Sequence, residues 1–208
     1  MNRNSQHCMT CRPLMVALEV IILAAGRSSR LGQPKALVDV GGRSLISRIV
    51  DRLQNLSKVT ITVVTNGDLL ADIIIECPSI HAVLNPDPEK GRTGSIRHGL
   101  DSILERNGCL PDRLLIVPVD RPGWSIEIIR DLLGSAVSCC PSWNNRGGHP
   151  LLLVGDDINA VYLSSGDTPL SSIIVRETMF FEFPFLHLNI DTKEDLDELL
   201  LASKEDWF

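Results

Sequence analysis

Short apolar runs alternate with segments of helical periodicity along the chain. In the first part of the sequence, four such runs predict strands, at residues 20–24, 59–65, 81–84 and 114–119. Ser44 is placed to cap a helix that carries Leu45, Ile49 and Leu53 on one face. Further helices are predicted at residues 68–76, from Gly94 onward, and after a second serine cap at Ser125.

The later part of the chain continues this alternation. Strands are predicted at residues 137–140, 150–154 and 186–190. Thr192 and Asp195 form a capping-box-like start to a last helix that bears Leu196, Leu199 and Leu200.

Alternating strands and helices imply βαβ units, and such units build a mostly parallel sheet with helices on both faces. We therefore expect an α/β fold. A chain of 208 residues has the length of one domain. We assign residues 17–208 to that domain and residues 1–16 to a poorly ordered N-terminal extension. In sheets of this kind, ligands bind beyond the carboxyl ends of the strands.

Composition narrows the class of protein without naming a function. Apolar residues make up 44% and charged residues 22% of the chain, as in an ordinary globular domain. The net charge is −6 and the basic residues are scattered, which argues against a nucleic-acid-binding surface. No apolar stretch approaches the roughly 20 residues of a membrane helix. We expect no nucleic-acid partner and no membrane association.

The six cysteines are too thinly spread for a disulfide framework, so a reducing cytoplasm is the expected location. Cys8 and Cys11 have the spacing of half a zinc site, and His7 lies beside them. Without a second pair of ligands, the pair is better explained as part of the N-terminal extension.

The segment that follows the first predicted strand has the chemistry of a polyphosphate-binding loop. Small residues at the strand exit let the backbone approach a ligand, and Gly26 and Gly32 permit tight turns. Successive amides in such a turn form an anion cradle. Arg27, Arg30 and Lys35 add three positive charges around it. The spacing fits neither a Walker loop nor the Gly-x-Gly-x-x-Gly fingerprint of dinucleotide-binding folds.

The whole segment, Leu23-Ala-Ala-Gly-Arg-Ser-Ser-Arg-Leu-Gly-Gln-Pro-Lys35, resembles the signature of the MobA-like nucleotidyltransferases. The resemblance implies a Rossmann-like, three-layer α/β/α nucleotidyltransferase fold. The Ala-Ala-Gly and Gln-Pro-Lys elements are more similar to the molybdenum cofactor cytidylyltransferases than to the guanylyltransferase branch. By this resemblance the loop holds the nucleotide through Leu23, Ala24, Ala25, Gly26, Arg27 and Lys35.

Residues 85–100 resemble the loop and helix start with which this family contacts the base and ribose. The resemblance points to Asn85, Gly94 and Ser95 as nucleotide-binding residues. If Gly94 and Ser95 open a helix, their amides are free to meet a base carbonyl or a phosphate. A capped surface helix explains the same residues without any ligand.

Two aspartates are candidates for a Mg²⁺ site. Asp120 ends a buried strand and is followed by a proline turn, which suits a hard oxygen ligand. Asp191 lies in a segment that resembles the family's Asn-x-Asp-Thr-x-x-Asp-Leu motif, and the resemblance assigns it to the same metal. Ordinary turn and cap chemistry is the alternative in both places.

His149, in the segment Gly148-His149-Pro150, resembles a feature of the cytidylyltransferase branch on the acceptor side. A structural histidine is the alternative. Residues 165–170 keep the Gly-Asp of a further family motif but lack the Gly-x-Arg that usually follows. An acceptor-side cation is therefore missing from its usual place, which leaves the acceptor open.

Together these features predict a Mg²⁺-dependent nucleotidyltransferase. The resemblance implies a reaction that transfers a nucleoside monophosphate, with CTP favoured over GTP, to a phosphorylated acceptor such as Mo-molybdopterin. Lys35, Arg30 and Asp120 are the expected catalytic residues, and pyrophosphate leaves. Another small phosphorylated metabolite, such as a sugar phosphate, is the alternative acceptor. A non-catalytic nucleotide-binding module on the same fold is the alternative to an enzyme.

Overall fold

The computed structural model describes residues 17–26, 28 and 30–208. Residues 1–16, including Cys8 and Cys11, lie outside this range, so the expectations for the N-terminal extension stay predictions. One eight-stranded sheet forms the centre of the fold. Its strands in chain order are β1 (Leu18–Ala24), β2 (Val59–Thr65), β3 (His81–Leu84), β4 (Arg113–Pro118), β5 (Cys139–Trp143), β6 (Arg146–Gly147), β7 (Leu151–Val154) and β8 (Glu177–Phe180).

The first four strands are parallel and β1 lies at their centre. It pairs with β2 on one side and with β4 on the other, and β3 joins β2. Val20, Ile21 and Ile22 are each 0% exposed, because both faces of this half of the sheet are covered. Burial on both faces explains the continuous apolar run that predicted this strand.

The other half of the sheet is mixed. β7 is antiparallel to β4, β5 is antiparallel to β7, and β8 runs parallel to β5. β5 and β6 form a tight hairpin in which Asn144 and Asn145 both have positive φ, of 49° and 59°. Asparagine tolerates this conformation better than most residues, which suits it to a two-residue hairpin turn. The predicted mostly parallel sheet is confirmed for the strands that form the site described below.

Helices cover both faces of the sheet, which confirms the three-layer architecture. One apolar cluster joins Val20 and Ile22 of β1 to Leu45 and Ile49, and the other joins Ile21 to Leu100. Successive residues of one strand thus supply opposite layers. No helix in the described range is long and apolar enough to cross a bilayer. The helices are α1 (Leu45–Gln54), α2 (Leu70–Glu76), α3 (Gly91–Asn107), α4 (Ile126–Leu133), α5 (Asp156–Leu163), α6 (Leu170–Ile173) and α7 (Asp195–Ala202).

Both predicted serine caps are present. The hydroxyl oxygens of Ser44 and Ser125 each accept a hydrogen bond from the amide three residues later, at 3.3 Å. Each bond satisfies one of the amides that a helix start leaves without a helical partner. These caps fix where α1 and α4 begin.

The predicted strand at residues 186–190 is wrong. Residues Pro184–His187 form a short 3-10 turn, and irregular chain follows it. Leu186, Leu188 and Ile190 are buried, so the alternation that suggested a strand is real. The backbone makes local turn bonds and one bond from the Ile190 amide to the Asp120 carbonyl (2.9 Å), rather than a ladder with a neighbouring strand.

A buried arginine holds the loop that follows β4. The Arg52 guanidinium lies 3.7 Å from the centroid of the Trp124 ring, and its Nη1 donates to the Pro122 carbonyl at 3.1 Å. Burial lowers the pKa of Arg52 to about 9, and the ring face and the carbonyl offset part of its lost hydration. The loop that carries Asp120 is thereby tied to α1.

Gly123→Ala should lower the free energy of unfolding by about 3 kcal/mol, because a side chain that clashes with rigid backbone has little room to move away. A Cβ at this position would lie 1.8 Å from the carbonyl oxygen of Phe185. Urea denaturation measures the loss. Gly67→Ala is the matched control, since its Cβ would meet nothing nearer than 3.9 Å. Equal free energies of unfolding for the two variants would contradict the close packing of residues 120–124.

Candidate functional site

A cavity of about 430 Å³ opens at the carboxyl ends of β1 and β4. Three separate parts of the chain converge on it: the loop after β1, the end of β4 with Asp120, and the segment before α7 with Asp191. The residues predicted for nucleotide and metal binding that line this cavity are Leu23, Ala24, Ala25, Gly26, Arg30, Lys35, Ser95, Asp120 and Asp191.

Two side chains at the end of β2 orient the loop after β1. Thr65 Oγ1 donates to the carbonyl of Ala24 (3.4 Å), and Asn66 Nδ2 donates to the carbonyl of Ala25 (3.2 Å). In a trans peptide the N–H points opposite to the C=O, so the amides of Ala25 and Gly26 point away from these two side chains. Among the described residues, neither amide donates to a backbone carbonyl.

Space above the loop is also open. A Cβ placed on Gly26 would meet no atom within 4 Å, and Gly32 has a φ of +76°, which a glycine adopts without strain. Ser28 Oγ accepts the Lys35 amide at 3.1 Å, which closes the loop on itself and fixes where the lysine side chain starts. The loop therefore has the open amides of an anion cradle.

The charged side chains of the site form one cluster. The ammonium nitrogen of Lys35 lies 3.0 Å from Asp191 Oδ1 and 3.6 Å from Asp120 Oδ2. Arg30 donates to the other oxygen of Asp191 at 2.5 Å. The hydrogen bonds from Lys35 and Arg30 lower the pKa of Asp191, so this carboxylate is ionised at neutral pH. Lys35, expected at the phosphates, contacts these two carboxylates in the structure.

Local hydrogen bonds hold Asp191 against Asp120, although the two residues are far apart in sequence. The Ile190 amide donates to the Asp120 carbonyl at 2.9 Å. The Asp195 carboxylate accepts the amides of Asp191 (2.8 Å) and Thr192 (2.6 Å). Only this half of the predicted capping box is formed, because the Thr192 hydroxyl donates to Asp195 and the last helix begins at Asp195, with Glu194 as its N-cap. Asp195 thus leaves the Asp191 side chain available for the site.

The pair of carboxylates fits a divalent cation. Both reach the same ammonium nitrogen, so one ion in that place would be within reach of both oxygens. No group of three or more histidine, cysteine or acidic side chains that could hold a metal occurs among the described residues. Mg²⁺ does not require such a cage, because it keeps several waters and binds one or two carboxylates together with substrate phosphates.

The predicted base-binding residues are only partly available. Asn85 Nδ2 donates to Ser95 Oγ at 3.0 Å, and Asn85 Oδ1 accepts the Asp87 amide at 2.9 Å. The expectation of a free Gly94 amide is wrong, because α3 begins earlier, at Gly91, and the Gly94 amide donates to the Gly166 carbonyl at 2.8 Å. Arg27 lies outside the described residues, and its role stays a prediction.

His149 lies in a second cavity of about 430 Å³, which shares Gly91 and Arg92 with the first. Its Nδ1 is buried and has no hydrogen-bond partner in the described protein. Burial and the positive charges of Arg92, Arg121 and Arg176 lower the pKa of His149 to about 3. None of these arginines was predicted as a site residue, although Arg92 lies within residues 85–100 and Arg121 directly follows Asp120.

Comparison with known proteins identifies the family. Residues 20–179 match the sequence profile described as a MobA-like NTP transferase domain. The chain belongs to this family. The match contains the loop after β1, Asp120 and His149, while Asp191 lies beyond its end. The predicted family resemblance is thereby confirmed.

Relatives of both predicted branches are similar to this chain. The molybdenum cofactor guanylyltransferase of Sinorhizobium fredii is 26% identical over 200 residues, which cover 86% of this chain and 88% of that protein. The molybdenum cofactor cytidylyltransferase of Escherichia coli is 28% identical over 142 residues, with 67% and 71% covered. A nucleotidyl transferase structure from a Methanothermobacter species superposes with a TM-score of 0.72 at 18% identity, covering 90% of this chain and 97% of that one.

The partly buried His149 predicts a specific acid sensitivity. Its pKa is about 3 when folded, against the ordinary 6.5, so the stability it contributes is complete above pH 6.5 and is lost as the pH falls below that value. One fully linked proton costs about 1.4 kcal/mol per pH unit. Urea denaturation between pH 6.5 and 4.5 should show this fall in the free energy of unfolding. Carboxylates ordinarily titrate below this pH range.

His149→Asn should reduce this pH dependence of the free energy of unfolding, because asparagine does not titrate. His81→Asn, which replaces an exposed histidine on β3, is the control and should keep it. An unchanged pH profile in His149→Asn would show that this histidine is accessible to protons in the folded protein.

Proposed function

We propose that the protein transfers a nucleoside monophosphate from a nucleoside triphosphate to a phosphate group on an acceptor. The observation that carries this proposal is the pairing of an open-amide loop, residues 24–26, with a lysine that lies between two carboxylates. Family membership supports the same reaction class. No nucleophilic serine or cysteine is needed, because the acceptor itself supplies the nucleophile.

In the proposed reaction, an oxygen of the acceptor phosphate forms a bond to the α-phosphorus. The bond from that phosphorus to the oxygen bridging it to the β-phosphate breaks, and pyrophosphate leaves with the electron pair. A phosphate monoester is already ionised near neutral pH, so no strong general base is required. Catalysis then depends on positioning and on stabilising the negative charge that develops.

The residues that line the first cavity at the loop after β1 and at the two carboxylates each have a role in this proposal. The amides of Ala25 and Gly26 bind phosphate oxygens, and Arg30 adds positive charge at the rim. Mg²⁺, held by Asp120 and Asp191, would offset charge on the leaving pyrophosphate. Lys35 is then expected to donate to phosphate oxygens instead of Asp191, because the phosphates are the stronger anionic partner.

We propose CTP as the nucleotide. The supporting features are the Ala24-Ala25-Gly26 and Gln33-Pro34-Lys35 elements and the Gly-His-Pro segment around His149. GTP is the second candidate, since the Sinorhizobium relative named a guanylyltransferase covers 86% of this chain. The proposed acceptor is a phosphorylated pterin such as Mo-molybdopterin, with a sugar phosphate or another small phosphorylated metabolite as the alternative.

Asp120→Asn should lower pyrophosphate release by about a hundredfold or more while the fold survives, since it removes a charge at the centre of the site. Lys35→Gln should have a similar effect. A colorimetric assay measures the release of pyrophosphate from each of four nucleoside triphosphates with several acceptors. Asp131→Asn, on the exposed surface of α4, is the matched control and should keep full activity. Full activity in Asp120→Asn would remove this residue from the site.

Nucleotide preference should appear as thermal stabilisation. A ligand that binds only the folded state raises its stability by mass action, so CTP with Mg²⁺ should raise the melting temperature more than GTP does. A larger shift with GTP would overturn the proposed base and favour the guanylyl branch. Binding without pyrophosphate release for every acceptor would favour a non-catalytic module.

A further inference from the structure

The second cavity carries an excess of positive charge that the proposed reaction has not used. Its lining includes Lys90, Arg92 and Arg176, and only one carboxylate, that of Asp167. The chain as a whole has a net charge of −6. A local concentration of cations on an acidic protein is the usual sign of a site for an anion.

Two of these cations are not neutralised by an ion pair. Arg92 and Arg176 pair with no carboxylate within the part of the chain that the structure describes, whereas Lys90 is paired with Asp87 at 2.9 Å. Asp167 is held by a hydrogen bond from the Ser165 hydroxyl. Nδ1 of His149, a lining residue, is buried and has no hydrogen-bond partner among the described residues. Buried polar groups normally have partners, so this nitrogen points to a ligand.

The cavity has a built wall and a defined junction with the first cavity. The loop at residues 165–169 is bound to the start of α3 by the Gly94 amide and by Thr93 Oγ1, which donates to the Thr168 carbonyl at 2.6 Å. Arg92 lines both cavities, whereas Arg176 and His149 line only the second. Positive charge therefore lies both at the junction of the two cavities, on Arg92, and away from it, on Arg176.

Arg92 and Arg176 also bear on the cation expected in residues 165–170. That segment lacks the arginine of the family motif. In the structure, Arg176 reaches the same cavity from the start of β8 and Arg92 reaches it from α3. The acceptor side thus has cations, and they come from other elements.

We infer that the second cavity binds an acceptor that carries a second anionic group, remote from the phosphate that attacks. Arg92, at the junction, faces the attacking phosphate. Arg176, which lines the same cavity as His149, receives the second group. Arginine suits this task because its fork pairs with carboxylate or phosphate oxygens. The inference rests on the proposed function, since it takes the first cavity to be the nucleotide site.

Three probes of similar size test for a second anionic group, presented either as a carboxylate or as another phosphate. Glucose 6-phosphate has one anionic group, 6-phosphogluconate adds a carboxylate, and glucose 1,6-bisphosphate adds a phosphate. Calorimetric titration is done with Mg²⁺ and a non-hydrolysable CTP or GTP analogue already bound. At least one doubly anionic probe should bind about tenfold more tightly than glucose 6-phosphate, as expected for one added charge-assisted contact.

Arg176→Gln should abolish that tenfold difference while leaving the affinity of the nucleotide analogue unchanged. Arg176 is exposed, so this variant should fold normally. Arg130→Gln is the control for loss of one positive charge, since Arg130 is an exposed residue of α4 that lines neither cavity. It should keep the difference.

Equal affinity for all three probes, no binding of any of them, or a difference that persists in Arg176→Gln would overturn the inference. Failure of the proposed function gives a different result. In that case the nucleotide analogue does not bind, whereas the doubly anionic probes still prefer the wild-type protein to Arg176→Gln.

Discussion

The ammonium group of Lys35 lies between two carboxylates that come from opposite parts of the chain, and the organisation of the site depends on this contact. Asp120 ends a central strand and Asp191 precedes the last helix, yet both lie within 3.6 Å of the same nitrogen. Two carboxylates this close would repel each other without a cation between them. The site is therefore arranged for positive charge, which Lys35 supplies in the structure and which a metal ion is proposed to supply in the complex with the nucleotide.

The scaffold around this contact serves to keep backbone groups in fixed directions. The side chains of Thr65 and Asn66 donate hydrogen bonds to carbonyls of the loop after β1, so the amides of that loop point in the opposite direction. Arg52 holds the loop after Asp120 through the Pro122 carbonyl, and the Ile190 amide joins the Asp120 and Asp191 segments. All these bonds lie at the carboxyl edge of parallel strands, where this class of sheet places its ligands.

Local sequence signals predicted the parts of the fold that depend on local chemistry. The serine caps, the parallel strands and the convergence of Lys35 with Asp120 follow from patterns within a few residues and from the edge rule for parallel sheets. The parts that failed depend on tertiary contacts. Residues 186–190 alternate like a strand, but their backbone makes local turn bonds and one bond to Asp120. Arg176 reaches the second cavity from a position next to β8, which pairs with β5.

The most direct test of the account is a crystal structure with a non-hydrolysable nucleoside triphosphate and Mg²⁺. The account predicts phosphate oxygens on the amides of Ala25 and Gly26, Lys35 Nζ within hydrogen-bond distance of a phosphate, and the metal on Asp120 and Asp191. A triphosphate bound elsewhere, or a loop that holds only solvent while Lys35 stays on Asp191, would contradict the central claim.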